Sequence, residues 1–144
     1  MSWKINKDGK QLEFTEEMIP EKAVGFVYLM TAIVDGKFVK YIGKKNFYAD
    51  VKTKLGKKEM PTDKRLKQYK RVKKFTYKNY YSSNEVLKAH KQSGGEIQRI
   101  IIEFAYSKIQ LTYLECKHLF MEEVLESEEY LNNNILGKFY KTTS

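Results

Sequence analysis

Val24 to Lys45 reads VGFVYLMTAIVDGKFVKYIGKK, and the fold turns on how this stretch is parsed. An apolar, β-branched run from Val24 to Val34 is interrupted by Asp35-Gly36, and Phe38 to Gly43 resumes it. Asp-Gly between two such runs marks a two-residue hairpin, because a type I′ turn needs φ > 0 at both central positions. With Asp35 and Gly36 in those positions, Val34 pairs with Lys37, Met30 lies opposite Tyr41 and Tyr28 opposite Gly43. Side chains alternate faces, so Tyr28 and Tyr41 project together as diagonal neighbours, roughly 7–8 Å apart. Gly43 leaves space beside the Tyr28 ring for another group. An ordinary core hairpin, its tyrosines turned inward because they are large and apolar, fits the same spacing.

Outward from the hairpin, size and charge narrow the possibilities. The 144 residues suit one domain with a modest core. The longest apolar stretch is the first hairpin strand, too short for a bilayer, and the N-terminus lacks a basic-then-apolar leader pattern. Both features point to a cytoplasmic protein with no membrane partner. A single cysteine, Cys116, excludes an internal disulfide framework, and His90 and His118 are too few for a histidine metal site. The formal net charge is +9, and Val51 to Lys78 holds twelve Lys or Arg against Glu59 and Asp63. A concentrated basic segment on a near-neutral body points to a polyanion, most simply nucleic acid. A solvated, lysine-rich loop is the plainer explanation of the same run.

Before the hairpin, Trp3 to Ile5 and Leu12 to Phe14 flank Lys7-Asp8-Gly9-Lys10, which reads as a second hairpin with a structural or accessory role. Thr62 to Phe75 reads as a cationic helix capped by Thr62, with Leu66, Tyr69 and Val72 recurring at threes. Tyr77 to Tyr81 interleaves aromatics with Lys78. Such a run stacks on bases or anchors the following short helix, Glu85 to Gln92, to the sheet. Glu96 to Ala105 is a buried strand. Ser107-Lys-Ile-Gln110 is a capping-box pattern opening a helix to about Glu126. Glu115 lies in that helix's apolar stripe, and an inward carboxylate is costly unless paired or bound to a metal. Glu122 occupies nearly the same face, and stripe-edge exposure explains either glutamate alone.

Phe26-Val-Tyr28 and Tyr41-Ile-Gly-Lys-Lys-Asn-Phe47, with Tyr77-Lys-Asn-Tyr-Tyr-Ser-Ser83 downstream, resemble the paired motifs of the GIY-YIG nuclease superfamily, especially small phage-encoded homing-type endonucleases. The likeness runs from about Gly25 to Leu136. It implies a single α/β (α+β) domain: a three-stranded, mainly antiparallel sheet with flanking helices and an N-terminal hairpin extension. Residues 1–22 would form the extension and 23–140 the nuclease domain, with a basic insertion at 51–78. The resemblance further implies a DNA endonuclease using one divalent ion, Mg2+ or Mn2+, held by Glu115, in the cytoplasm of a phage's bacterial host. Tyr28 and Tyr41 match the motif tyrosines, Lys44 and Lys45 being placed to lower a phenol pKa. Asn134 matches the family asparagine, with Asn132 a close rival. The family arginine has no direct counterpart, which leaves Arg65 or Arg71 for that role. Lys44, Lys45, Lys57, Lys58, Arg65, Arg71 and Lys78 would contact DNA, and a protein partner could add specificity. A catalytically weak or inactive module, binding nucleic acid or an acidic protein, is the alternative. The oligomeric state is left open, although a lone site cuts one strand.

If the basic segment holds duplex phosphates, log K for DNA should fall with log salt by about 0.9 per contact. Replacing Lys57, Lys58, Arg65 and Arg71 with Gln should flatten that slope in a salt titration. An unchanged slope would place the DNA elsewhere.

Overall fold

The computed structural model describes residues 2–56 and 69–141, with the backbone alone for Thr53, Tyr69, Lys70 and Arg71. The chain runs through β1 (Lys4–Lys7), β2 (Lys10–Glu13), β3 (Gly25–Val34), β4 (Lys37–Asn46), β5 (Tyr48–Lys54) and β6 (Tyr69–Phe75). It continues through α1 (Glu85–Gln92), β7 (Gln98–Ala105), α2 (Lys108–Met121), β8 (Asn134–Ile135) and β9 (Phe139–Tyr140).

The central hairpin forms in the expected register. Val34 pairs with Lys37, Met30 with Tyr41 and Tyr28 with Gly43, while Asp35 and Gly36 sit at φ 50° and 77° as a type I′ turn requires. Asp8 and Gly9 repeat that turn chemistry, at φ 52° and 78°, between β1 and β2.

The main sheet is wider than three strands. Five strands lie in the order β2-β1-β7-β3-β4, because β1 pairs parallel with β7 and makes the N-terminal hairpin part of the sheet. Trp3 explains the docking. It is buried among Phe26 and Tyr28, at ring-centroid distances of 4.9 and 5.5 Å, and its indole N–H donates to the Tyr77 carbonyl at 2.7 Å. Burying so large an aromatic with its one donor satisfied outweighs a short parallel pairing that gains little by itself. Across β7, β3 runs antiparallel with a bulge between Val27 and Tyr28.

A second departure lies in the basic segment. The helix expected from Thr62 to Phe75 is replaced over Tyr69–Phe75 by a strand, β6, while 62–68 lie outside the described residues. β5 and β6 pair over seven residues as a separate two-stranded ribbon, with Val51 opposite Val72 and Tyr48 against Phe75 at 6.3 Å. Only Phe47, fully buried, separates β4 from β5, so the chain leaves the main sheet at one residue.

Side chains from the two faces of the sheet build two cores. Trp3, Phe14, Phe26, Tyr28, Phe47 and Tyr77 lead one of them, beneath α1. Val27, Ile42, Leu111, Leu114 and Leu119 form the other, beneath α2. Asn84 caps α1 through bonds from the Val86 and Leu87 amides, and Ser107 caps α2 through the Gln110 amide at 3.0 Å. α2 ends at Met121, short of Glu126, and a 3₁₀ turn at Val124–Glu126 follows. Glu103 on β7 accepts from Lys117 at 2.9 Å and meets His118 at 2.7 Å, tying the helix to the sheet.

β4 is an edge strand, and the C-terminal segment covers it. The Lys40 amide donates to Glu129, the Leu131 amide donates back to Lys40, and Lys40 bridges Tyr130 in parallel. Buried Asn132 then clamps the next position outward. The Ile42 amide donates to Asn132 Oδ1 at 3.0 Å, and Asn132 Nδ2 donates to the Ile42 carbonyl at 2.8 Å. Asn132→Ala orphans a buried donor and a buried acceptor, each expensive when left unpaired, and should cost about 2–4 kcal/mol in urea unfolding. A loss below about 1 kcal/mol would mean that water replaces the amide.

Candidate active site

The covered edge of β4 is interrupted at Tyr41. Alternation carries the tyrosines and Lys45 to the aromatic face, and Lys44 to the α2 face. Tyr28 is 1% exposed and its ring centroid lies 6.4 Å from that of Tyr41. The space expected at Gly43 is not open. A Cβ there would strike the Tyr28 hydroxyl and lie 3.1 Å from Tyr41 Cε2, so the glycine exists to let the Tyr28 phenol cross the strand.

Beyond Gly43, the Tyr28 hydroxyl meets the Tyr80 hydroxyl at 3.4 Å. Burial, and the Tyr80 phenol beside it, push the Tyr28 pKa far above the ordinary phenol range, against a Ser82 hydrogen bond that lowers it. Tyr41 is shifted upward too, by burial first and then by Tyr80 and the Glu115 carboxylate, with Ser83 opposing. The expected lowering by Lys44 and Lys45 does not occur. Lys44 donates to Thr112 Oγ1 at 2.8 Å, and Lys45 donates to Thr76 Oγ1 at 2.8 Å while lying 5.2 Å from the Tyr80 ring centroid. Both phenols are therefore neutral hydrogen-bonding groups at pH 7.

Glu115 reaches this edge from α2. It is half-buried and lines a cavity of about 200 Å3 with Tyr41, Asn84, Asn132, Asn133 and Asn134. Burial raises its carboxyl pKa, and the Lys44 ammonium pulls it back. Glu122, its rival on the helix, is exposed and meets the Tyr130 hydroxyl at 3.5 Å. The asparagines divide the work. Asn132 is committed to Ile42, whereas Asn134 accepts from the Gly137 amide at 2.9 Å and donates to Asn133 Oδ1 at 2.7 Å.

Other predicted residues fall elsewhere. Lys78 lies 3.7 Å from Glu16, beside the N-terminal hairpin. Lys57, Lys58 and Arg65 lie outside the described residues, and Arg71 is placed only as a backbone position opposite Lys52. The sequence reading missed Tyr80 and Arg99. Buried Arg99 donates to the Lys78 and Tyr80 carbonyls, both at 2.9 Å, and lies 4.7 Å from the Trp3 ring centroid and 4.1 Å from that of Tyr81. It fixes the loop that carries Tyr80. The Tyr77 to Ser83 run was the available signal for Tyr80, but nothing local pairs Arg99 with that loop.

Among the described residues no three His, Cys, Asp or Glu cluster as a metal cage. One half-buried carboxylate, ringed by carboxamides, fits a hard cation that keeps most of its water, and does not fit zinc.

A family model described as "Putative endonuclease segE, GIY-YIG domain" matches residues 3–135. Comparisons with curated proteins and with solved structures found no match. Among the described residues no helix is long and apolar enough to cross a membrane.

The raised Glu115 pKa has a thermodynamic consequence. In the metal-free protein its contribution is fully present below the unfolded-state carboxyl pKa and is lost as pH rises through the higher folded value. Glu115→Gln escapes that loss. In EDTA its Tm should equal or exceed that of wild type at pH 7, with the advantage shrinking toward pH 4. A variant that melts well below wild type at pH 7 would show that the carboxylate makes a stabilising contact.

Proposed function

The chain belongs to the GIY-YIG nuclease superfamily, and from that premise we propose that it is a divalent-metal-dependent DNA endonuclease of the small phage homing type. The observation that carries this reading is that Tyr41 and Glu115, from β4 and α2, line one cavity at the edge of the sheet, with Tyr28 packed behind Tyr41. Glu115 would hold Mg2+ or Mn2+, with the carboxamides of Asn134 and Asn84 lining the same cavity. When bound, the ion supplies positive charge that stabilises the phosphate and the leaving oxygen and lowers the pKa of groups beside it.

The protein's own groups do the positioning. Tyr41, nearest the carboxylate, orients the attacking water through its hydroxyl. Tyr28 is locked between Gly43 and Tyr80 and holds the Tyr41 ring in place. Lys44 and Lys45, on opposite faces of β4, flank the site with fixed cations for phosphate oxygens. Lysine lacks the planar fork of arginine, so it neutralises phosphate without bidentate contact. Arg65 or Arg71 could add that fork. The basic segment would contribute to specificity, and a partner protein could add to it.

A second reading is a binding module that no longer cuts. It is favoured by one observation: Arg99, the arginine beside the tyrosines, is turned onto backbone carbonyls rather than toward the cavity.

Supercoiled plasmid should be cut with Mg2+ and remain intact in EDTA. Glu115→Gln should abolish cutting, Tyr41→Phe should slow it by roughly 10²-fold through loss of a positioned hydroxyl, Tyr28→Phe, which keeps the ring that holds Tyr41, should slow it less, and Glu122→Gln should cut normally. Cutting that survives both EDTA and Glu115→Gln would overturn the proposal, and DNA binding without any cutting would establish the second reading.

A further inference from the structure

The β5–β6 ribbon is set apart from the rest of the fold. Its strands carry Lys52, Lys54, Lys70, Arg71, Lys73 and Lys74 against one acid, Asp50. An isolated two-stranded ribbon is marginally stable in water. This one is anchored at its root, where the Thr76 amide donates to the Phe47 carbonyl at 3.0 Å and Tyr48 packs on Phe75. A core-building role would turn apolar side chains toward the main sheet. Tyr48 does so at the root, whereas Ala49, Lys52, Lys54, Lys73, Lys74 and Phe75 are exposed.

Register assigns these residues to two faces. Tyr48, Asp50, Lys52, Lys54 and Lys73 share one, with the Lys73 ammonium 3.7 Å from the Tyr48 ring centroid. Ala49, Val51, Val72 and Lys74 share the other. Lys52, Lys54 and Lys73 therefore share one face of the ribbon with Asp50, and Lys74 lies on the other.

We propose that this face enters the major groove of duplex DNA beside the cleavage site and reads base edges there. The inference rests on the DNA-cleaving reading for its ligand. B-form DNA has a major groove about 12 Å wide, which admits a two-stranded ribbon, and its guanine edges present acceptors suited to lysine. The ribbon leaves β4 six residues past Tyr41, roughly 20 Å along the strand. A backbone held at Tyr41 thus leaves the neighbouring groove over the ribbon. Duplex RNA offers no such entry, because its major groove is deep and narrow. A ribbon that only tracked phosphates would bind both duplexes alike.

The full-length protein in EDTA should bind a DNA duplex at least about tenfold tighter than an RNA duplex of the same sequence, measured by anisotropy. Dimethyl sulfate should then show guanine N7 protected on the bound DNA. Lys52→Gln with Lys54→Gln should collapse the DNA-to-RNA ratio and the N7 protection, while Lys74→Gln, on the opposite face, should keep both. Equal binding of the two duplexes, protection confined to adenine N3 in the minor groove, or equal losses in both variants would each overturn the inference. None of these readouts requires cutting. N7 protection without plasmid cleavage would sink the nuclease reading and leave the ribbon's role standing, and cleavage without N7 protection would do the reverse.

Discussion

Position 43 has room for a hydrogen atom and nothing larger. The Tyr28 phenol crosses β4 there, and its hydroxyl occupies the space that a Cβ would need. The aromatic face is built on this crossing. Trp3 packs edge-on against Tyr28, Tyr80 meets the phenol hydroxyl, and Tyr41 lies alongside. Buried this deeply, the phenol stays neutral, with its hydroxyl against that of Tyr80. The glycine is thus a packing requirement of the whole aromatic face.

The site's second determinant is an edge that is closed almost everywhere. An open strand edge invites pairing with other chains. Here Glu129 to Asn132 take up the backbone groups of Lys40 and Ile42 and leave Tyr41 beside the cavity that Glu115 lines from the opposite face. Alternation along β4 then sends Lys44 toward the carboxylate and Lys45 toward the tyrosines. The edge strand thus sets Tyr41 beside the Glu115 cavity, with Lys44 and Lys45 held on its two opposite faces.

Arg99 shows why residue type alone is a poor guide to role. A buried guanidinium near the tyrosines looks like a phosphate clamp. Its Nη1 instead donates to two loop carbonyls, with rings of Trp3 and Tyr81 close by, so its charge faces backbone dipoles and aromatic faces. The outcome is a rigid loop that presents Tyr80, Ser82 and Ser83. Ser82 is held at φ 80°, backbone strain of about 1–3 kcal/mol that the surrounding contacts absorb.

The amino-acid sequence by itself determined what depends on neighbouring residues. Asp35-Gly36 set the turn and hence the register, so Tyr28 met Gly43 and Tyr41 met Met30 as read. Ser107 and Asn84 set the helix starts, and the apolar spacing of α2 placed Glu115 at its inward edge. Each of these rests on dihedral preference or on a period that a short stretch encodes completely. Tertiary structure alone decided the rest. In Tyr69–Phe75 the apolar residues recur at threes, a helical spacing, and pairing with β5 overrode it. β1 joined β7 because Trp3 found a core contributed by residues far along the chain. Gly43 was filled by a ring from the facing strand, Asn132 found the Ile42 backbone ninety positions away, and Arg99 found its carbonyls. These choices were invisible locally because their free energy exists only once the distant partner is in place.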